Sequence, residues 1–234
     1  MPELPAPLPP DKRTVGQLVA ETIRAYGGSF WRVLPLGIAV AVTDQLSVRQ
    51  SAETQMLVYW AATPLFVGAY VWACRLLHGV RPTRVAVGVA ILVYLPFPAL
   101  RAVYILPGLA WFAFIGLAVP AAMVERLGFR DALERGRRLG LADYVHALGS
   151  LAALVVVVGV AADTLSALLH TQGDNGQRVA VFVSDLVLSP MLYLGAALLY
   201  VDQAARVVGS RRDAALHPPV DSDPAGRADP QVES

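Results

Sequence analysis

The stretch PAAMVERLGFRDALERGRRLGLADYVHAL, from Pro120 to Leu148, decides how this sequence is interpreted, because it places five arginines between two long apolar segments. Apolar or small residues recur there at helical spacing on one face, and charged residues fill the rest, which predicts an amphipathic helix over about 128–140. We expect this helix to lie on a membrane surface. The arginines expected to contact anionic lipid head groups are Arg130, Arg135, Arg137 and Arg138.

The rest of the composition points to lipid. The chain of 234 residues is 56% hydrophobic and 16% charged. In an ordinary soluble domain, about a quarter of the residues are charged. Six apolar stretches are each long enough to cross about 30 Å of hydrocarbon. We therefore predict an all-α, polytopic helical membrane protein with about six transmembrane helices. The predicted spans are Phe30 to Val48, Met56 to His78, Arg84 to Tyr104, Ile105 to Val124, Ala147 to Leu169 and Val179 to Tyr200.

The third and fourth predicted spans are nearly continuous. Pro96, Pro98 and Pro107 interrupt any single long helix there, because proline lacks a backbone donor and clashes with the preceding turn. A tight hairpin is the favoured interpretation. A re-entrant or broken helix is the alternative, since irregular backbone is tolerated at membrane depth only inside protein or beside a water-filled cavity.

A second amphipathic helix is predicted before the first span, over about 14–27. Thr14 and Gln17 form a capping-box pattern at its start. The prolines and acidic residues at both ends of the chain predict disordered tails over 1–13 and 204–234. The predicted membrane domain is therefore 14–203.

The basic residues predict the orientation of these spans. If the N-terminus is cytoplasmic, sixteen lysines and arginines fall on the cytoplasmic side, and only Arg49, Arg101 and Arg178 fall on the other. Basic residues accumulate in short cytoplasmic connections. We thus expect a protein of the cell membrane with both termini in the cytoplasm.

Two segments resemble a known family. LPGLAWFAFIGLAVPAAMVERLGFRDALERGRRL, from Leu106 to Leu139, and PLFVGAYVWACRLLHGVRPTR, from Pro64 to Arg84, resemble the YciC-like bacterial proteins and the membrane domain attached to some glycerophosphoryl diester phosphodiesterases. The sequence departs from that pattern at Gly136 and Arg137, where the family commonly has Ser and Trp. The resemblance implies a six-span membrane unit without the soluble phosphodiesterase domain.

Motifs of catalysis are absent from the sequence: there is no His-Glu-x-x-His, no Gly-x-Ser-x-Gly, no phosphate-binding glycine loop and no cysteine pair. We therefore expect no enzymatic activity, no cofactor and no metal site. Nothing in the sequence points to a nucleic-acid partner. The expected partners are membrane lipids, with anionic head groups at the cytoplasmic face.

One polar constellation is a candidate site. Asp44, Asp163 and Asp185 each lie about 8–10 Å inside the outer end of a span, and Arg101 lies between the third and fourth spans. Ionisable groups at such depth are costly unless paired or hydrated. They either line a pocket or path open to the outer side, or Arg101 pairs with an aspartate and holds the bundle together. The structural interpretation is favoured, because charges near a membrane boundary are less informative than charges at its centre.

These observations favour a non-enzymatic membrane protein, acting as a scaffold, a lipid-handling protein or an assembly component. The alternative is a small-solute transporter, or a subunit of one, that uses the outer-side carboxylates.

Overall fold

The computed structural model describes residues 9–103, 105–169 and 173–216. Those residues form helices and connecting turns, without a strand. A short 3-10 turn, Pro10–Lys12, precedes the first helix, and a second, Leu34–Gly37, joins α2 to α3. The α-helices in chain order are α1 (Val15–Gly28), α2 (Phe30–Val33), α3 (Ile38–Ser47), α4 (Ala52–Ala61), α5 (Thr63–His78), α6 (Arg84–Tyr94), α7 (Phe97–Val103), α8 (Ile105–Ile115), α9 (Ala118–Val124), α10 (Phe129–Ala142), α11 (Tyr144–Leu169), α12 (Gly173–Leu188) and α13 (Pro190–Leu216).

The helices agree with a helical membrane protein, but fewer than six of them are long enough to span. Three helical segments are long and apolar enough to cross a membrane by themselves: Ile105–Val124, Tyr144–Leu165 and Gly176–Gly209. Two bent pairs raise the number to five if each pair is one span. The segment Arg84–Leu100, predicted as the third span, is a shorter apolar helix. The described residues thus give three to five candidate spans in place of the predicted six.

Prolines set several of the breaks between helices. α5 begins at Thr63-Pro64 and is bent by 46° from α4, and α13 begins at Pro190 directly after Ser189. Pro35 lies in the 3-10 turn before α3. Proline is favoured in the first turn of a helix, where its missing N–H would have no intrahelical partner, and it ends the preceding helix.

The third and fourth apolar segments pack against each other in opposite directions, which the predicted hairpin and the re-entrant alternative share. The indole Nε1 of Trp111 donates to the carbonyl oxygen of Val93 at 2.9 Å. A Cβ added at Gly108 would lie 3.1 Å from the ring of Phe97. Trp111 meets Val93, and the earlier residue Gly108 meets the later residue Phe97. The two helical arms therefore run antiparallel.

Aromatic side chains donate hydrogen bonds to main-chain carbonyls beside these breaks. The Tyr26 hydroxyl donates to the carbonyl of Val187, in the last turn of α12. The Tyr70 hydroxyl donates to that of Gly116, between α8 and α9, at 3.2 Å. Trp111 does the same for Val93 near the end of α6. Carbonyls at helix ends lose their intrahelical donors, and a phenol or indole supplies a replacement within apolar surroundings.

Helices form at both positions predicted to be amphipathic, and both pack on the bundle. α10 buries Ala132, Gly136, Leu139 and Gly140, and it contacts α6, α8, α9 and α13. α1 is closed at its start by the predicted capping box of Thr14 and Gln17, and it packs against α11 and α13. This differs from helices that rest on lipid through their apolar faces. The reason is the small residues of α10, which allow a helix-to-helix approach that larger side chains would prevent.

Both ends of the chain are ordered further than predicted. α13 continues to Leu216, beyond the predicted start of the tail at 204, and Pro10–Lys12 packs against it. The guanidinium of Arg206 donates to the carbonyl of Arg13 at 2.8 Å. Charged residues near the middle of α13 therefore hold the chain segment before α1 in place. The outer parts of the predicted tails, 1–8 and 217–234, lie outside the described residues.

The close approach of α10 to α8 generates a first prediction. A Cβ at Gly140 would lie 2.4 Å from the carbonyl oxygen of Ala113, so Gly140→Ala should lower the free energy of unfolding by about 1–3 kcal/mol. The same change at Gly68, an exposed helical position with nothing within 4 Å of the added Cβ, should be neutral or stabilise by up to about 1 kcal/mol. Thermal unfolding of both variants in one detergent measures the difference. Equal stabilities would contradict the packing of α10 on α8.

Candidate functional site

A cavity of about 350 Å³ lies between helices from both ends of the chain, including α3, α5, α8, α11 and α13. Most of its wall is apolar, with side chains such as Phe66, Phe112, Leu154 and Leu192. The polar groups at the wall include two aspartates and three tyrosines. A mainly apolar cavity with a few polar groups is the usual form of a small-molecule site.

Two of the four predicted outer-side residues border this cavity. Asp44 reaches it from α3 and Asp185 from α12. The two helices pack side by side, and a glycine in the turn before α3 permits the close approach, since a Cβ on Gly37 would lie 2.0 Å from the carbonyl oxygen of Leu186 in α12. Further along the contact, the Gln45 amide donates to the carbonyl of Arg178 at 3.0 Å. This packing brings two carboxylates, far apart in sequence, to one cavity.

The other two predicted residues are placed differently. Asp163 lies on an exposed part of α11 and does not border the cavity, although its neighbour Ala162 does. Arg101 belongs to α7, and its side chain lies outside the described part of the structure. The described site therefore contains Asp44 and Asp185 of the predicted cluster, without Asp163.

Tyr59 is a site residue that sequence reasoning missed. It lies on α4, is 8% exposed and donates a hydrogen bond from its hydroxyl to Oδ1 of Asp44. It also borders the cavity. An aromatic residue within an apolar stretch looks like a core residue in the sequence. Its spacing of 15 residues from Asp44, across a turn of unknown geometry, gave no signal of the contact.

A second cavity, of about 410 Å³, shares Asp44 and Tyr59 with the first. It lies where the end of α3 meets α4, and Ser47 and Gln55 add further polar groups to its wall. The Asp44–Tyr59 pair thus borders a more polar cavity on one side and a mainly apolar cavity on the other. The arrangement as a whole is amphipathic.

The arginines predicted to contact lipid divide into two kinds. Nε of Arg135 lies 2.9 Å from Oε1 of Glu125, and Arg138 pairs with Glu134. Arg130 and Arg137 are exposed, and no ion pair involving either is found among the described residues. Because Arg135 and Arg138 are paired with acids inside the protein, we expect their attraction to anionic lipid to be weaker than that of Arg130 and Arg137.

A partly buried ionic network near the middle of α13 was also missed by sequence reasoning. Nη1 of Arg13 lies 2.6 Å from Oδ1 of Asp202, whose side chain is fully buried. Nη1 of Arg206 lies 2.9 Å from Oδ2 of Asp143, at the junction of α10 and α11, and the Gln203 amide donates to the Asp143 carbonyl at 3.1 Å. The partners are separated by at least 60 residues, so no sequence pattern could reveal them.

Within the described ranges, no group of three or more histidine, cysteine, aspartate or glutamate side chains is arranged to hold a metal ion. The buried thiol of Cys74 is a single free cysteine.

Comparisons with protein-family models, curated proteins and solved structures find no match for this chain. The resemblance to the YciC-like family therefore stays a prediction.

The buried network generates a second prediction. Asp202→Ala removes the partner of Arg13, whose side chain is 13% exposed, and breaking a buried pair typically costs about 3–5 kcal/mol. Glu134→Ala breaks the pair with Arg138, in which both side chains are more than half exposed, and should cost at most about 1 kcal/mol. Chemical unfolding in a common detergent compares the two. Losses of similar size would show that the network does not hold the chain end to α13.

Proposed function

We propose that this protein is a non-enzymatic, multi-pass protein of the bacterial cell membrane that holds an amphiphilic, lipid-like molecule between its helices. The observation on which this proposal depends is the shared wall of two cavities, one mainly apolar and one more polar, formed by Asp44 and Tyr59. An amphiphile has the same division between chain and head group. The resemblance to the YciC-like family is part of the proposal.

The apolar cavity suits a hydrocarbon chain. Its volume of about 350 Å³ falls at the lower end of the range of about 300–1,000 Å³ for small-molecule sites. Side chains from α8 and α11, such as Phe112 and Leu154, are buried beside it. Filling such a cavity with a chain gains dispersion contacts that an empty space lacks.

The polar wall suits a head group with hydrogen-bond donors. The carboxylate of Asp44 accepts a hydrogen bond from Tyr59, and an ionised carboxylate has acceptor sites for several donors. Ser47 and Gln55 stand at the same cavity. We infer that a hydroxyl or ammonium group of the ligand lies beside Asp44, which fixes the direction in which its chain enters.

The proposed orientation places both termini in the cytoplasm. Glu125 and His78 both contact Tyr200 of α13, and Arg13 contacts Asp202 two residues further along that helix. Several of the basic residues assigned to the cytoplasmic side therefore lie at one end of the bundle. Arg49 lies at the far end of α3, on the opposite side of Asp44. Because basic residues accumulate in cytoplasmic connections, this segregation supports a cytoplasmic position for both termini.

A matched pair of variants tests ligand binding. Val158 borders the apolar cavity and is 8% exposed, whereas Val156 on the same helix is 61% exposed. Val158→Trp should fill the cavity, so that this variant purifies without the lipid that we expect to co-purify with the wild-type protein. Val156→Trp should retain it. Native mass spectrometry in a mild detergent, followed by identification of the released molecule, measures both.

A wild-type protein without any bound amphiphile, or equal retention by both variants, would contradict lipid binding. The alternative of solute transport is favoured by one observation, the position of Asp44 at both cavities. Solute uptake in proteoliposomes that Asp44→Asn abolishes, together with no retained lipid, would select that alternative.

Labelling of cysteines tests the orientation. In a Cys74→Ala background, Gln50→Cys should react in intact cells with a membrane-impermeant maleimide, because Gln50 is exposed beyond the end of α3. Arg137→Cys, exposed on α10, should react only after the membrane is opened. The reverse pattern would overturn the proposed topology.

A further inference from the structure

A cleft of about 270 Å³ lies between two turns on the side of the bundle that carries Glu125 and His78. One turn joins α5 to α6 and the other joins α9 to α10. The cleft is lined by Arg81, Pro82, Thr83, Val85, Arg126 and Leu127. Two arginines from separate parts of the chain thus line one cleft, together with the apolar residues Pro82, Val85 and Leu127.

The positive charge of this cleft is not neutralised within the described structure. The ion pairs there do not include Arg81 or Arg126. The acid next to Arg126 in sequence is Glu125, and its Oε1 already accepts from Arg135 at 2.9 Å and from the Tyr200 hydroxyl at 2.8 Å. Glu125 is therefore engaged elsewhere, whereas Asp131, the acid in the first turn of α10, lies beside the turn, with Oδ2 at 3.2 Å from a Cβ added at Gly128.

The two helices that begin beside the cleft add to its positive potential. α6 begins after Thr83, whose hydroxyl accepts from the N–H of Ala86 at 3.1 Å. α10 begins after Gly128, which provides no capping side chain. The helix starts are held together, since the ring of Phe129 would lie 3.6 Å from a Cβ at Gly88. Each helix start carries partial positive charge.

Further arginines stand in the first turns of both helices. Arg84 is the first residue of α6, Arg130 is the second of α10, and both are exposed. Arg126 itself adopts a left-handed backbone, with φ of 52°, a conformation in which non-glycine residues are uncommon. This turn contributes both Arg126 and Leu127 to the wall of the cleft.

We propose that this cleft binds a phosphate-bearing anion, and that in the membrane this anion is the head group of an anionic phospholipid. Guanidinium groups bind phosphate by charge-assisted, often bidentate hydrogen bonds. Pro82, Val85 and Leu127 provide an apolar floor for the glycerol part of a lipid. The site is separate from the cavity at Asp44 and does not depend on its ligand. It also differs from the outward-facing arginines of α10 that the sequence suggested for lipid contact.

The test uses the full-length protein in nanodiscs of a zwitterionic phospholipid, titrated with a phosphatidylglycerol and followed by native mass spectrometry. The double variant Arg81→Gln, Arg126→Gln should weaken binding of the first phosphatidylglycerol by about tenfold or more, because two charge-assisted contacts are lost. The control Arg32→Gln, Arg75→Gln removes the same charge from two exposed positions outside the cleft. It should change the affinity by less than about twofold, since screened charges at a distance contribute little.

Inorganic phosphate distinguishes a lipid from a free anion. If phosphate at millimolar concentration leaves the bound phosphatidylglycerol in place, the head group is the ligand. Complete displacement by phosphate would overturn the assignment to lipid and leave a site for a free phosphate-bearing anion. Equal losses in the cleft variant and the control would overturn the site altogether.

Thermal unfolding accompanies each titration, so that a folding defect is separated from a binding defect. Should the double variant be less stable than the wild type, Arg81→Gln alone serves in its place, because Arg81 lies exposed in a turn. Unchanged affinity in a stable Arg81→Gln variant would likewise contradict the proposal.

Discussion

Apolar helices that break need replacement donors for their main-chain carbonyls, and this requirement organises the molecule. Water is absent from the hydrocarbon region of a membrane, so every backbone polar group there must be satisfied inside the protein. Tyr26, Tyr70 and Trp111 donate to carbonyls at the ends of three apolar helices. Each of these bonds ties one helix to another, and a local need of the backbone thereby fixes a tertiary contact.

The same breaks make room for the candidate site. Proline at the start of α5 and of α13 bends or interrupts helices that would otherwise pack as straight rods. The apolar cavity lies beside these interruptions, with Phe66 from α5 and Leu192 from α13 in its wall. Small residues have the opposite effect, because Gly37 brings α3 against α12 and Gly140 brings α10 against α8. Close contact at some helix pairs and separation at others leave a cavity bordered by carboxylates.

The internal ion pairs divide the arginines of this protein into two groups, those paired with an acid and those without such a pair among the described residues. Near the middle of α13, Asp202 engages Arg13 and Arg206 engages Asp143, so that the buried carboxylate of Asp202 has a partner and the segment before α1 is held. Glu125 engages Arg135 in the same region. The arginines left over, among them Arg81 and Arg126, are those that can serve a ligand from outside the chain. Which arginines are left for the proposed lipid ligand is therefore decided by which acids have been used internally.

The sequence by itself determined the class of the protein, its helical content, the helices at both segments predicted as amphipathic, the capping box at Thr14 and the break between the third and fourth apolar segments. These depend on composition, on periodicity and on proline, which act over a few residues. The described residues give three to five candidate spans where six were predicted, and α13 runs past the predicted last span, because length and hydropathy do not show where a helix bends or which charged turns find partners. Only the tertiary structure decided that Asp44, Asp185 and Tyr59 meet at one cavity while Asp163 does not, and that α10 packs on protein. Those outcomes depend on close contacts between distant residues, such as Gly37 with Leu186, and no local pattern encodes them.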